Sequence, residues 1–196
     1  MDRREHLRRL LSEHPPADAL EAEHRDRMLA LADAPGDPFS RDHFEPGHFT
    51  ASTFVLSPDG GSLLLIFHGK LHRWLQPGGH IDPEDADVLA AAAREVAEET
   101  GITDAALDSA LDPALGALLD VDVHTIPANP RKGEASHEHF DVRILMRARS
   151  LDYRAGSDAK DARWVPLADV NAIDSDESVM RAVQKLLRRQ AAAEEG

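Results

Sequence analysis

Apolar residues recur at helical spacing near the start of the chain, at Leu7, Leu10 and Leu11 and again at Leu20, Met28, Leu29 and Leu31. This period predicts two helices, over residues 3–13 and 17–34, joined by His14-Pro15-Pro16 and ended by Ala34-Pro35-Gly36-Asp37-Pro38. The pattern then changes to that of strands. Thr50 to Leu56 and Ser62 to Phe67 are β-rich runs on either side of Ser57-Pro58-Asp59-Gly60-Gly61, a concentration of turn residues. Arg73 to Gln76 reads as a short extended piece entering a turn at Pro77-Gly78-Gly79-His80. From Val88 the helical period returns, with Val88, Leu89, Ala92, Ala93 and Val96 on one apolar stripe and Gly101 as the stop. Gly116 to Thr125 and Glu138 to Arg147 suit strands around a polar loop from Pro127 to Ser136. A short strand from Arg163 to Leu167 follows, then a helix from Ser175 to Ala192 with Val179, Val183, Leu186 and Leu187 facing inward.

Strands with a helix after the third and another at the end predict an α/β fold, a mixed sheet with helices on its faces. Residues 1–47 form an N-terminal helical extension in this reading, and residues 48–196 the main domain. The amphipathic pattern of the extension fits three uses equally: shielding the sheet, capping a cleft, or making the contact of a homodimer.

Composition narrows the function classes. With 196 residues and 42% hydrophobic content, one domain plus an extension can bury a substantial core. The absence of cysteine excludes disulfides, thiolate metal sites and cysteine nucleophiles, and with the charged start Met1-Asp2-Arg3-Arg4-Glu5 it leads us to expect a cytoplasmic protein. The longest strongly apolar run, Leu63 to Phe67, is too short to cross a bilayer, so no membrane partner is expected. A formal charge of −14 opposes binding to a nucleic acid polymer and means that a phosphate-bearing substrate needs metal and local cations to approach.

The chemistry concentrates on Arg94-Glu95-Val96-Ala97-Glu98-Glu99-Thr100-Gly101-Ile102. On a helix, Glu95, Glu98 and Glu99 fall within an arc of roughly 100°. Like charges so placed repel, and a hard divalent cation with a preference for oxygen ligands resolves the repulsion. Mg2+ or Mn2+ is therefore the expected cofactor. The bland alternative is a solvated acidic face. Arg94, four residues before Glu98, is placed to pair with it.

The stretch from Gly79 to Ile102, GHIDPEDADVLAAAAREVAEETGI, closely resembles the Nudix box, whose pattern is glycine, five residues, glutamate, seven residues, then REUXEEXGU with U aliphatic. The second half matches at Arg94, Glu95, Val96, Glu98, Glu99, Gly101 and Ile102. The first half departs from it: Gly79 stands fifteen residues before Arg94 instead of fourteen, and Ala86 occupies the glutamate position counted back from Arg94. Asp85, Asp87 and Glu84 all remain candidates for the early acid, since one extra loop residue costs little.

The resemblance implies a Nudix-type α/β/α sandwich over roughly residues 48–190 and a hydrolase that cleaves a nucleoside diphosphate derivative, such as a nucleotide sugar, a dinucleotide or a nucleoside triphosphate, by water attack at phosphorus. It makes Glu95, Glu98 and Glu99 metal ligands with the carbonyl of Gly79, gives Arg94 the role of orienting them, and makes Glu98 the first choice of general base, with Glu134 and Glu138 behind it. His80, Arg131, Lys132, Glu138 and His139 are candidates to touch a small nucleotide-type substrate. His137, His139 and Asp141 alternate onto one strand face and offer either a second transition-metal site or a polar strand end lining the cleft. Trp74 and Trp164 are placed to stack on a base or to fill the core. A nucleotide-sensing or protein-interaction module on the same fold is the alternative from another class. Two narrower activities recede: isopentenyl-diphosphate isomerases of this fold rely on a cysteine, and messenger-RNA decapping goes with basic surfaces.

Overall fold

The computed structural model describes residues 2–108, 118–156 and 159–194. Gly116 and Ala117, the first residues of one expected strand, lie outside them. In chain order the elements are helices α1 (Arg3–Glu13) and α2 (Ala19–Asp33), strands β1 (Gly47–Leu56), β2 (Ser62–His68), β3 (Arg73–Leu75) and β4 (Gly78–His80), and helix α3 (Val88–Thr100). Strands β5 (Ala106–Leu107), β6 (Leu118–Ile126), β7 (His137–Arg147) and β8 (Ala159–Pro166), a 3-10 turn (Leu167–Ala172) and helix α4 (Glu177–Glu194) complete the chain.

The sheet is mixed. Its axis is a parallel pair, β1 with β7, in register from Gly47 opposite Glu138 to Leu56 opposite Arg147. β2 and β4 share the other edge of β1, β6 and β5 pair antiparallel with β7, and β3 and β8 extend the sheet from β2. Every residue of β1 is buried because both faces of this strand are covered. On one face Phe49, Ala51, Val121, Phe140, Val142 and Ile144 meet Val88, Ala91 and Ala92 of α3 and Leu7, Leu11, Met28 and Leu31 of the N-terminal helices. On the other, Phe54, Leu56, Leu63, Leu65 and Leu145 meet Val179, Val183 and Leu186 of α4. The result is the expected α/β/α sandwich.

Several expectations need correction. The helical pair at the start shares a core with the sheet: Leu7, Leu11 and Met28 are fully buried in the cluster that holds Phe49 and Val142, so shielding the sheet is the use that its packing displays. Leu20 and Leu187 face solvent instead of the core, and Ala93 is exposed while Ala91 takes its place on the buried stripe of α3. α2 starts at Ala19 because Asp18 is its cap, accepting the backbone N–H of Glu21. Trp74 and Trp164 are half-buried. Arg163 lies 3.9 Å over the ring of Trp74, and Trp164 donates its indole N–H to the carbonyl of Leu151 at 2.9 Å.

The change that matters most for the site is at Gly78-Gly79-His80. These residues are a strand, paired antiparallel with Ser52, Ala51 and Thr50 of β1. The glycines serve close approach: a Cβ on Gly78 would come 2.5 Å from that of Ser52, and one on Gly79 would come 2.6 Å from Oε1 of Glu95.

Candidate active site

α3 carries the acidic residues, and both of its ends are fixed. Asp87 caps the start, accepting N–H groups of Leu89 and Ala90, while Gly101 closes the end in the left-handed conformation at φ 70° with its N–H on the carbonyl of Ala97. Burial of Val88, Ala91, Ala92 and Val96 against the sheet sets the helix rotation. Glu95, Glu98 and Glu99 are thereby brought along the edge beside β4.

Arg94 organises this edge. Its Nη1 donates to Glu95 at 2.9 Å and to Glu98 at 3.2 Å, and its Nη2 donates to the carbonyl of His80 at 2.8 Å and to Asp85 at 2.9 Å. Nε also reaches Asp85, at 3.2 Å. Glu99 accepts the backbone N–H of Gly78 at 2.9 Å. The side chain of Glu95 is 14% exposed and that of Glu98 59%, a difference that separates their chemistry. Burial raises the pKa of Glu95 despite Arg94. The hydrogen bond from Arg94 to Asp85 in turn raises the pKa of Arg94, so the guanidinium stays charged.

Of the three early acids, Asp85 is the one that meets Arg94. Asp87 is committed to capping, Glu84 is exposed, and Asp85 receives Arg94 and the backbone N–H of Asp82. Arg94 holds its carboxyl below the usual range, against the cost of burial. Counting forward from Gly79 locates it: Asp85 is the sixth residue on, as the box pattern requires, and the additional residue falls between Asp85 and Arg94. Counting back from Arg94 lands on Ala86 and misses it.

The face of the sheet turned away from α3 is polar at the corresponding end. His48, Thr50 and Ser52 of β1, His139, Asp141 and Arg143 of β7, and His80 of β4 share it by strand alternation. One ring nitrogen each of His48, His80 and His139 lie within 4.8 Å of one another. Burial, reinforced by the neighbouring imidazoles, pushes the pKa of His80 down to about 4 and that of His139 down to about 2, so both are neutral at pH 7. Of the two readings of His137, His139 and Asp141, the metal trio does not form, and the three histidines that converge are His48, His80 and His139. Both carboxylate oxygens of Asp141 are engaged, by Thr50 at 3.1 Å, Ser52 at 2.7 Å and Arg143 at 3.0 Å, whereas the parallel register sets His48 beside His139.

On that same face, under α4, lies an ion network that sequence reading missed. Arg143, 2% exposed, bridges Asp120, Asp122 and Asp141 at 3.0–3.2 Å, and Arg181 of α4 joins Asp120 and Asp122 at 2.8 and 3.0 Å. An arginine on an alternating strand reads as a solvated position in sequence, and its three acidic partners are supplied by two different strands.

The remaining candidates are dispersed. Arg131 and Lys132 are exposed on a loop that closes on itself through Asn129 and Glu134, with Lys132 3.6 Å from Glu134. Glu138 alternates onto the opposite sheet face from His139 and is ion-paired with Arg27 of α2.

Comparison with known proteins agrees with this architecture. A family model described as the NUDIX domain matches residues 46–186. The probable DHNTP pyrophosphohydrolase of Lactococcus lactis subsp. cremoris (strain MG1363) is 34% identical over 97 residues, which cover 50% of this chain and 52% of that protein. The match thus spans about half the length of that relative. Among solved structures, a C. elegans Ap4A hydrolase binary complex superposes with a TM-score of 0.53 at 19% identity, covering 74% of this chain and 98% of the other. The E. coli dihydroneopterin triphosphate pyrophosphohydrolase does so with a TM-score of 0.50 at 14% identity, covering 70% and 92%. At such identities the likeness is one of fold. Among the described residues no helix is long and apolar enough to cross a membrane.

Proposed function

This chain belongs to the NUDIX family, and on that footing we propose that it is a metal-dependent pyrophosphohydrolase acting on a phosphoanhydride bond of a small nucleoside diphosphate derivative. The observation that carries this reading is the convergence of Asp85, Glu95 and Glu98 on the single guanidinium of Arg94, which is itself anchored to the backbone of β4. The donor set suits a hard cation. Glu95, Glu98 and Glu99 offer carboxylate oxygens, and the close approach of Gly79 to Glu95 supports its carbonyl as a further ligand. Mg2+ or Mn2+ bound there neutralises phosphate charge and makes water more acidic.

The protein residues divide the remaining work. Glu95, far less exposed than Glu98 and held by Arg94, is a ligand fixed in one orientation. Glu99 is fixed by Gly78. Glu98 is exposed, as a group that takes a proton from an attacking water and returns it to solvent has to be. Arg94 holds Glu95 and Glu98 apart from free rotation, and Asp85 holds Arg94. Arg131 and Lys132 would supply the cationic contacts to substrate phosphate that a chain of net charge −14 requires if their loop folds over the site.

A panel of nucleotide sugars, dinucleoside polyphosphates, nucleoside triphosphates and dihydroneopterin triphosphate, each assayed for released phosphate products with Mg2+ and with Mn2+, tests the reading. Turnover of at least one member, lowered about 10²- to 10⁴-fold in Glu98→Gln, is expected. Binding measured by calorimetry with no product from any member would replace the enzyme with a sensing module.

A further inference from the structure

We propose that His48, His80 and His139 form a second metal site, selective for a borderline transition ion such as Zn2+ and separate from the carboxylate site on α3. The inference starts from strand geometry. Successive residues of β4 point to opposite faces. Gly79 faces Glu95, so His80 faces the other way, where its ring centroid lies 5.2 Å from that of His48 and 5.4 Å from that of His139. The rings of His48 and His139 are 4.8 Å apart because their strands pair in parallel with these two residues opposite. Three strands thus deliver three imidazoles to one point.

A second, independent observation indicates a ligand. Nε2 of His48 is buried and has no hydrogen-bond partner among the described residues, in a residue that is 1% exposed. Its other nitrogen, Nδ1, is 3.2 Å from the carbonyl of His43 and donates to it, which leaves the lone pair of Nε2 bare and aimed by the backbone. A carbonyl that fixes the tautomer and rotation of an imidazole is the usual support of a metal-bound histidine. A buried nitrogen lone pair without a donor is costly and needs an explanation. A cation supplies it.

Imidazole nitrogens suit Zn2+ and its neighbours, whereas Mg2+ keeps to oxygen. Tetrahedral Zn2+ with bonds of about 2.0–2.1 Å sets its nitrogen ligands about 3.4 Å apart, which the present spacing of 4.8 Å or less reaches by small ring rotations. Three protein ligands leave the fourth position to water or to an anionic oxygen. His80 and His139 are only half-buried, so solvent reaches the open side of the cluster.

The test uses the full chain stripped by chelator and dialysed against Zn2+, against Co2+ and against Mn2+, with bound metal measured by elemental analysis. One zinc per chain is expected, and Glu95→Gln with Glu98→Gln should retain it while losing Mn2+. His80→Gln, chosen because His80 is half-buried and its loss is tolerable to the fold, should lower zinc affinity by more than about tenfold, as should His139→Asn. Full zinc occupancy in both histidine variants, or loss of zinc in the glutamate variant, would overturn the proposal, the latter by placing zinc on the carboxylates. Should a histidine variant fail to fold by circular dichroism, the cobalt spectrum of the unaltered chain decides: intense blue bands of a tetrahedral site support it, and the weak pink of six-coordinate cobalt overturns it. Because these readouts are of binding, they stand apart from the hydrolase reading.

Discussion

At the scale of the residue, the site depends on one guanidinium shared among carboxylates. Arg94 would be free to sample rotamers on an exposed helix face, and it is Asp85, at 8% side-chain exposure, that stops it. Asp85→Asn should therefore leave Glu95 and Glu98 intact yet slow turnover and weaken Mn2+ binding, while lowering stability by about 1–3 kcal/mol for the loss of a charged hydrogen-bond acceptor. Steady-state kinetics with chemical denaturation checks it, and unchanged kcat would remove Asp85 from the positioning of the site. The acids of the box and Arg94 were legible in sequence because helical spacing alone puts them together. Asp85 was legible only from one side of the insertion. His48 was not legible, since its partner lies ninety-one positions further on and nothing in a single chain discloses the register of a parallel pair.

Element boundaries followed from local patterning wherever burial is one-sided. The period of α3 and its stop at Gly101, and the turn between β1 and β2, came directly from residue types. β4 did not: two glycines followed by histidine carry turn chemistry, and the strand exists because glycine alone permits its backbone to press on Ser52 and Glu95. The first three residues of β1 were missed likewise, because Gly47 and His48 lack strand propensity and are held by pairing with β7. Gly79→Ala separates these roles. The added methyl meets the Glu95 carboxylate rather than backbone, so the variant should fold, with a small change in melting temperature, and bind Mn2+ at least about tenfold more weakly. Equal Mn2+ affinity in a titration would show that the close approach of β4 to α3 serves packing alone.

The molecule as a whole is tied together by buried charge. Glu21 of α2 is 1% exposed and accepts from Nε2 of His14 at 2.7 Å, from the N–H of Ala17 and from Lys185 of α4, joining the N-terminal helices to the last one. Although burial opposes ionisation, these donors depress the pKa of Glu21; burial likewise depresses that of His14, which the fold keeps neutral. Both signs point the same way. The stabilisation from His14 is complete above its unfolded pKa of about 6.5, and that from Glu21 above about 4.3; each fades as pH falls toward the folded value. Urea midpoints should accordingly decline from about pH 6.5 downward and more steeply below about pH 4.5. Glu21→Gln should be less stable at pH 7 and show a shallower acid limb, and parallel acid limbs in the two proteins would deny Glu21 that part.

The parallel pairing of β1 with β7 also dictates when the site can exist during synthesis. All of the acidic motif has been synthesised once Ile102 is made, yet β1 still has a bare edge, and it keeps one until residues 137–147 arrive. In that interval the nascent chain displays an unpaired, largely apolar central strand, Phe49 to Leu56, the sort of segment that recruits chaperones or joins a neighbouring chain. A polypeptide truncated before His137 would hold every glutamate of the box and still lack the platform that positions them.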